Sequence, residues 1–276
     1  MSVIGRRSGS FHLYTGASVA FQRWGHEAVP SSRRVLALHG WLDNSNSFAR
    51  LGPYLGSRGF DFVALDIPGH GLSSRLAPGT HFFPFCVEVL RAIIEHLRWD
   101  GEKTTLIGHS MGGAISMVFD GCFPELVHKA VLIDQIGPLM HPSQFCADKL
   151  RTAIDARRAM ELKGRRVKQY ASIEDTINAR LRALTTYPGT QTLSHEAALT
   201  LMQRGVVSAE CPDDAEDTGG EGHSEFKRNL QGPVVFRHDP QLLLPSYTYL
   251  SPEQALSFAE RIIAPVYVIE GVPMIC

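Results

Sequence analysis

Continuous apolar runs alternate along the chain with segments in which apolar residues recur every three to four positions. The continuous runs are VLALH, FVALDI, TTLIG and AVLID, at residues 35–39, 62–67, 104–108 and 130–134. The helical pattern covers residues 45–58, 83–99 and 111–122. Because strands of this composition are buried on both faces, the alternation predicts an α/β fold with a mostly parallel sheet and helices on both sides.

The two ends of the chain extend this pattern. Near the start, the β-rich pieces FHLY and SVAFQRW, at 11–14 and 18–24, flank a Thr-Gly pair and predict a hairpin. Near the end, SPEQALSFAERI at 251–262 begins with a serine N-cap and a glutamate at the spacing of a capping box, and it predicts a helix. PVYVIEG at 265–271 then predicts one more buried strand.

Residues 139–250 interrupt the alternation and show no convincing buried strand. We interpret them as a helical cap inserted into the core, which divides the core into residues 1–138 and 251–276. The first helical part of the insertion is rich in lysine and arginine, and we interpret it as a solvated helix face. The segment AECPDDAEDTGGEGHSE at 209–225 is acidic with almost no apolar residue, and it predicts a flexible loop.

Composition narrows the classes of partner. The chain has 276 residues, and its 27 basic and 28 acidic side chains nearly cancel, so nothing supports a nucleic-acid surface and a small-molecule substrate is favoured. The five cysteines are scattered and odd in number, which argues against a disulfide framework or a zinc site. We therefore expect no cofactor and no metal, and the oligomeric state stays open.

The sequence shows no recognised targeting or membrane-spanning signal. The N-terminus lacks the apolar stretch of a secretory signal, and no apolar run approaches the roughly 18 residues that span a bilayer. The ending MIC matches neither a peroxisomal SKL address nor a prenylation box. By elimination we predict a cytoplasmic, soluble protein, with peroxisomal association left open.

The stretch LIGHSMGG at 106–113 carries the clearest chemical signal. Residues 108–112 satisfy G-x-S-x-G, with a strand entering the motif and a helix leaving it. The glycines are needed because the serine occupies a sharp, strained turn whose neighbours have little room for side chains. Ser110 is therefore our candidate nucleophile, and the alternative is a glycine-rich turn with an incidental serine.

Two backbone N–H groups are candidates for an oxyanion hole. The helix after Ser110 begins with Met111, whose N–H lies where the helix dipole favours negative charge. A second donor is expected in the loop after the third strand, where the sequence is HGWLD, and our candidate is the Trp41 N–H. The side chains of His39 and Trp41 could serve packing alone, because this role belongs to the backbone.

Three strings, in this order and at these intervals, resemble the α/β-hydrolase superfamily: HGWLDNSNSF, DIPGHGLSS and GHSMGG. The first and part of the second, GHGLSS, most resemble its serine hydrolase-like branch. The similarity is good over residues 11–139, resumes at 251–271 and is vague through the insertion. It implies an eight-stranded, mostly parallel sheet, a helical cap over the site, and a triad in the order Ser, acid, His.

The resemblance implies two alternative places for the acid. After the seventh strand, Gly271 is followed by VPMIC, which has no carboxylate, and Glu270 lies too early. At the end of the sixth strand, the place used by relatives such as the haloalkane dehalogenases, this chain has Asp134. A carboxylate that ends a buried strand needs a partner, so Asp134 is our candidate acid, with a structural role as the alternative. Dehalogenation is disfavoured, because those enzymes have aspartate where this chain has Ser110.

The resemblance places the catalytic histidine after an eighth strand, and the sequence ends in or just after the seventh. No histidine is carried over, and His141 and His238, which flank the insertion, are replacements without an evident orienting partner. Losing the histidine alone costs on the order of 10⁶ in turnover in a serine protease, so we expect this chain to be weakly active or inactive. The same ending predicts that PVYVI is an apolar edge strand prone to pairing or aggregation.

These observations predict a serine hydrolase acting on an ester or related acyl compound, with its histidine beyond residue 276 in a complete form. The alternative is a non-catalytic binding module with the same fold. Serine-dependent C–C bond cleavage and cofactor-free peroxidation reuse this scaffold, so fold alone does not decide among them. Tyr187, Leu201 and Met202 in the insertion are available to line a pocket for a substrate, and packing in the core explains them equally well.

Overall fold

Strands and helices alternate along the first half of the computed structural model, which describes residues 5–77, 79–80, 82–164, 167–184, 192–210, 230 and 232–271. The strands within these residues are β1 (Arg7–His12), β2 (Ser18–Trp24), β3 (Arg34–Leu38), β4 (Asp61–Leu65), β5 (Thr104–His109), β6 (Val127–Ile133), β7 (Val206–Ser208), β8 (Val234–Phe236) and β9 (Val266–Ile269). The α-helices are α1 (Leu51–Ser57), α2 (Phe82–His96), α3 (Met111–Cys122), α4 (Cys146–Lys163), α5 (Ile173–Leu184), α6 (His195–Gly205) and α7 (Pro252–Ala259).

Seven of these strands form one sheet in the order β1-β2-β4-β3-β5-β6-β9. The hairpin β1–β2 and the pair β2–β4 are antiparallel, and the remaining neighbours are parallel. The predicted mostly parallel sheet is confirmed. Because parallel strands end at the same edge, the residues that follow β3, β5, β6 and β9 are brought together there.

The sheet is buried on both faces, as its apolar runs predict. On β3, Leu36 and Leu38 pack into the cluster formed with α2 and α3, whereas Val35 and Ala37 face the cluster that contains Trp24. The predicted helix 45–58 is divided into a 3-10 turn, Ser45–Phe48, and α1, because the Asn44 side chain accepts the N–H of Asn46 and begins the turn separately. Among the described residues, none of the helices has the length and apolar character needed to cross a membrane.

The insertion has a small core of its own. It joins α5 and α6 to the antiparallel pair β7–β8, and Leu201 and Met202 are buried in this core. The expectation of no buried strand was wrong: β7 and β8 each have two buried valines, but three-residue strands are too short to show a period. On α4, only Ala153 is buried, in agreement with a solvated face. Tyr187 and all but the first two residues of 209–225 lie outside the described residues.

The last elements correct two expectations. The capping box of α7 pairs Ser251 with Gln254, and the neighbouring Glu253 instead accepts a hydrogen bond from the Ser251 hydroxyl. β9 forms where a strand was predicted, yet all four of its residues are exposed, with Tyr267 at 56%. The reason is position, because β9 is the edge strand and, among the described strands, pairs with β6 alone.

A buried carboxyl lies in α3 far along the helix from Ser110. Neither side-chain oxygen of Asp120 has a hydrogen-bond partner among the described residues. Burial raises the pKa of Asp120 from its ordinary 3.8 to about 6, and the charge of Lys103 offsets this only in part. As pH rises above 3.8 the unfolded chain loses the proton first, so the folded state is progressively destabilised up to about pH 6 and keeps that penalty above it.

We predict that Asp120→Asn is more stable than the unaltered protein at pH 7.5, by up to about 3 kcal/mol. At pH 4 the two should be nearly equal, because the carboxyl is then largely protonated and resembles the amide. Urea unfolding at both pH values measures the difference, with Asp100→Asn on the surface as control. An equal effect of Asp120→Asn at the two pH values would contradict the prediction.

Candidate active site

Ser110 lies in a strained turn between a strand and a helix. β5 ends at His109 and α3 begins at Met111, and Ser110 between them has φ 48° and ψ −113°. Its N–H donates to the Ile133 carbonyl oxygen, 2.8 Å away, which ties the turn to the end of β6. A non-glycine residue in this region of φ is costly and is held only by its surroundings. The local geometry is therefore that of a nucleophile elbow.

The glycines of the motif are required by backbone contacts on both sides of the serine. A Cβ on Gly108 would lie 2.3 Å from the Gly112 carbonyl oxygen, and a Cβ on Gly112 would lie 2.2 Å from the Leu38 carbonyl oxygen. Both distances are shorter than non-bonded contacts allow. The opposing atoms belong to the backbone, so they cannot move aside as the end of a flexible side chain could. The elbow therefore has this geometry only while both positions lack side chains.

The candidate oxyanion donors lie at the same edge of the sheet. Leu38 on β3 pairs with Gly108 on β5, and a Cβ on Gly40 would lie 2.7 Å from His109 Nδ1, so the loop carrying Trp41 runs beside the elbow. Within the described part of the chain, neither the Trp41 nor the Met111 N–H has a hydrogen-bond acceptor. Two unpaired donors next to the candidate nucleophile suit an oxyanion hole.

Two buried histidines hold the loops around the site. The Ile67 N–H donates to His39 Nε2 over 2.9 Å, so the proton of the neutral ring lies on Nδ1, which donates to the Gly40 carbonyl oxygen over 2.7 Å. His70 Nδ1 lies 3.2 Å from both the Ile67 and Pro68 carbonyl oxygens. The two rings pack edge to face, with centroids 4.9 Å apart. Sequence reasoning left the role of His39 open, and the structure shows a positioning contact.

Both of these histidines are neutral at ordinary pH. Burial lowers the pKa of His39, and burial followed by the charge of His39 lowers the pKa of His70 to about 3. His39 has both ring nitrogens in use, so it is not free to take a proton from Ser110. The Trp41 ring contacts His70 and Phe82 edge-on, which gives this side chain a packing role as well.

Asp134 immediately follows β6 and lies beside the elbow. Its N–H donates to the Ile269 carbonyl oxygen on β9, and its φ of 58° is one that aspartate tolerates. The premise that its carboxylate is buried was wrong, because the side chain is exposed in the described structure. Strand registers place Ser110, Asp134 and Glu270 after three neighbouring strands at one edge. The role of Asp134 as the acid stays a prediction.

The two histidines considered as replacement bases are engaged elsewhere. His141 packs edge-on against the Tyr249 ring at 4.4 Å, and His238 stacks on Phe236 at 5.4 Å. Burial, followed by the charge of Arg180, lowers the pKa of His238 to about 4. Neither ring has a contact with Ser110 or Asp134 in the described structure. His81 and His223 lie outside the described residues.

The insertion is attached to the core by a buried ion pair that sequence reasoning missed. Asp66, fully buried after β4, accepts from Arg204 of α6, whose Nε and Nη2 lie 3.0 and 2.9 Å from its Oδ2. Backbone N–H groups of Ser45 and Leu72 also donate to this carboxylate. Burial alone would raise the pKa of Asp66, but Arg204 and these N–H groups outweigh it and lower the pKa. The partners lie far apart in sequence, so no local signal marks them.

A cavity of about 640 Å³ lies between the insertion and the core. Its apolar lining comes from Trp41, Tyr249 and the segment 242–245, and α4 adds polar groups from Asp148, Lys149 and Thr152. This volume is in the range of small-molecule sites. Trp41 joins the cavity to the candidate oxyanion loop. Of the two alternatives for Leu201 and Met202, pocket lining and core packing, the structure shows core packing within the insertion.

Comparison with known proteins agrees with the fold. The family profile described as the alpha/beta hydrolase fold matches residues 33–160. A serine hydrolase-like protein of Danio rerio is 32% identical over 89% of this chain and 66% of its own length. One of Dictyostelium discoideum is 28% identical over 95% of this chain and 66% of its length. The chain thus spans about two thirds of these curated relatives.

A solved structure gives a matching picture in three dimensions. A hypothetical protein of Pseudomonas aeruginosa PAO1 superposes with a TM-score of 0.76 at 32% identity, over 95% of this chain and 80% of that chain. The strand–elbow–helix unit, the sheet order and the relatives agree with one another. The chain belongs to the α/β-hydrolase family, in its serine hydrolase-like branch.

Proposed function

We propose that this protein is a serine hydrolase that cleaves an ester or a related acyl compound, with Ser110 as nucleophile. The observation that carries the proposal is the elbow, in which Ser110 has positive φ between two glycines that backbone contacts exclude from carrying side chains. Strain of this kind persists where the surroundings enforce it, and it is typical of reactive positions. The names of the relatives point to the same class of reaction.

In the proposed mechanism, the Ser110 hydroxyl oxygen attacks the acyl carbon while a general base takes its proton. The carbonyl oxygen becomes negative and accepts hydrogen bonds from the Trp41 and Met111 N–H groups, helped by the dipole of α3. The leaving alcohol departs with a proton, and water then releases the acid from Ser110. We assign Asp134 to orient the base, which the resemblance to the family implies is a histidine.

The cavity beside Trp41 supports a substrate with an apolar part. Its lining is mostly apolar, with the few polar groups of α4 at one side. Such a surface favours an acyl chain or an apolar alcohol over a highly charged ligand. Ser110 itself is not among the lining residues, so the reacting bond would lie at the Trp41 end of the cavity.

A fluorophosphonate probe tests the proposal directly. We expect covalent labelling at Ser110 in a folded form of the protein that contains the catalytic histidine, with loss of labelling in Ser110→Ala and unchanged labelling in the control Ser57→Ala, on the exposed end of α1. Peptide mapping by mass spectrometry locates the adduct, and circular dichroism shows that each variant is folded. If that form is folded and stays unlabelled at high probe concentration, the catalytic proposal is contradicted.

A second candidate function, a non-catalytic binding module, is favoured by one observation. Within the described residues, no histidine ring hydrogen-bonds to Ser110, and His39 and His70 are buried and neutral. This candidate predicts that small apolar esters bind in the cavity without turnover. Isothermal titration with a slowly hydrolysed ester, together with product analysis, distinguishes the two functions.

A further inference from the structure

We propose that Arg180, on α5 of the insertion, is a positioning residue for the oxyanion hole. Through Asp43 it holds the turn that presents the Trp41 N–H. This inference rests on the proposed function, because the Trp41 N–H acts as an oxyanion donor only if the site is hydrolytic. Arg180 touches neither substrate nor Ser110 in this account, and it acts through its partner.

The turn that carries Trp41 is under strain. The Asp43 N–H donates to the Gly40 carbonyl oxygen over 3.2 Å and closes a four-residue turn, in which Leu42 has φ 60°. This region of φ is unfavourable for leucine, which lacks both the freedom of glycine and a short polar side chain. The φ of Leu42 sets the orientation of the peptide group between Trp41 and Leu42, so relaxing Leu42 would flip that group and open the turn that fixes the position of the Trp41 N–H.

Arg180 contacts this turn from the insertion. Its Nη2 donates to Asp43 Oδ1, and the two side chains are only 20% and 11% exposed. The other carboxylate oxygen, Oδ2, lies 3.5 Å from where a Cβ of Gly40 would be. The carboxylate therefore lies between the guanidinium and the first residue of the turn, and the charge pair is shielded enough from water to be more than a loose surface contact.

Neighbouring contacts hold the following residues from the same side. Asn44 Nδ2 donates to the Leu201 carbonyl oxygen over 2.9 Å, and Asn46 Nδ2 donates to that of Thr200 over 2.6 Å. These anchors fix the chain just after Asp43 on α6, whereas Arg180 on α5 fixes Asp43 itself. The Arg180–Asp43 pair thus connects the insertion directly to the strained turn. Its loss should increase the mobility of the turn while leaving the rest of the fold intact.

Hydrogen exchange of the full chain tests this hold without requiring catalysis. We expect faster amide exchange in peptides covering residues 40–46 for Arg180→Met and for Asp43→Asn, with Arg180→Lys intermediate. The control is Arg151→Met, a similar change on the exposed face of α4. Unchanged exchange over 40–46 in a folded Arg180→Met variant would overturn the proposal.

Fluorophosphonate kinetics test the link to the oxyanion hole. We expect the maximal rate of covalent labelling to fall about tenfold to a hundredfold in Arg180→Met, with little change in the probe concentration at half-maximal rate. The double variant Asp43→Asn/Arg180→Met should be no slower than either single variant, because both remove one contact. A fall in the double variant equal to the product of the single effects would overturn the proposal. Faster exchange with no labelling of the unaltered protein would support the hold on the turn and contradict the proposed function.

Discussion

Replacing Arg204 with methionine is expected to lower the free energy of unfolding by about 3–5 kcal/mol. Methionine fills much of the space but leaves the Asp66 carboxylate fully buried with only the backbone N–H groups of Ser45 and Leu72 as donors. Arg204 is the main group that offsets the cost of burying the Asp66 charge. Breaking this buried pair therefore costs much more free energy than breaking an exposed ion pair. Urea unfolding at pH 7.5, followed by circular dichroism, measures the change.

The double variant Asp66→Asn/Arg204→Met separates charge from packing. Its free energy of unfolding should be higher than that of Arg204→Met and closer to that of the unaltered protein, because no unpaired charge remains. Arg151→Met serves as surface control, since that guanidinium is 85% exposed and, among the residues that the structure describes, pairs with its helix neighbour Asp155 alone. If Arg204→Met cost less than about 1 kcal/mol, the value typical of surface pairs, the ion pair would not be the tie between insertion and core.

Replacing Gly112 with alanine is expected to destabilise the protein by about 3 kcal/mol and to slow labelling of Ser110 about a hundredfold. Alanine is the better helix former by about 1 kcal/mol, so helix propensity alone predicts the opposite sign. Sterics decide, because the new methyl would lie 2.2 Å from the Leu38 carbonyl oxygen, and either β3 or the start of α3 must move. That movement displaces Met111 N–H and Ser110 together.

Gly101→Ala is the matched control for this change. A Cβ at Gly101 meets nothing within 4 Å, so the substitution should leave both stability and labelling nearly unchanged. Urea unfolding and the labelling rate are measured for the two variants side by side. Equal behaviour of Gly112→Ala and Gly101→Ala would contradict the close packing of the elbow on β3.

The elbow could be predicted from the sequence because its determinants are local. Six consecutive residues, 108–113, determine the end of the strand, the strained serine and the start of the helix. Their glycines indicate positions where the backbone packs too closely for a side chain. The parallel sheet could be predicted as well, because a continuous apolar run indicates a buried strand whichever strands it pairs with. The position of Asp134 after β6 was predictable for the same reason.

Non-local properties were not predictable. The exposure of Asp134 depends on which neighbours cover the edge of the sheet. The edge position of β9 was predicted from the resemblance to the family, because an apolar run alone does not say whether it lies at the edge. The string DNSN after Trp41 resembles a family motif, but its contacts with Leu201 and Thr200 are set by how the insertion docks. Arg204 sits in a helix whose sequence shows only an ordinary basic residue.

The buried pair between Asp66 and Arg204 also bears on how substrate and product would come and go. An insertion that swung aside as a lid would have to separate these charges in a water-poor interface, a movement opposed at every opening. Passage through the mouth beside Trp41, by rotamer changes of exposed side chains such as Leu243, avoids that cost. Such changes occur within nanoseconds, whereas lid motions take microseconds to milliseconds. Substrate entry and product release by this route would therefore not limit turnover.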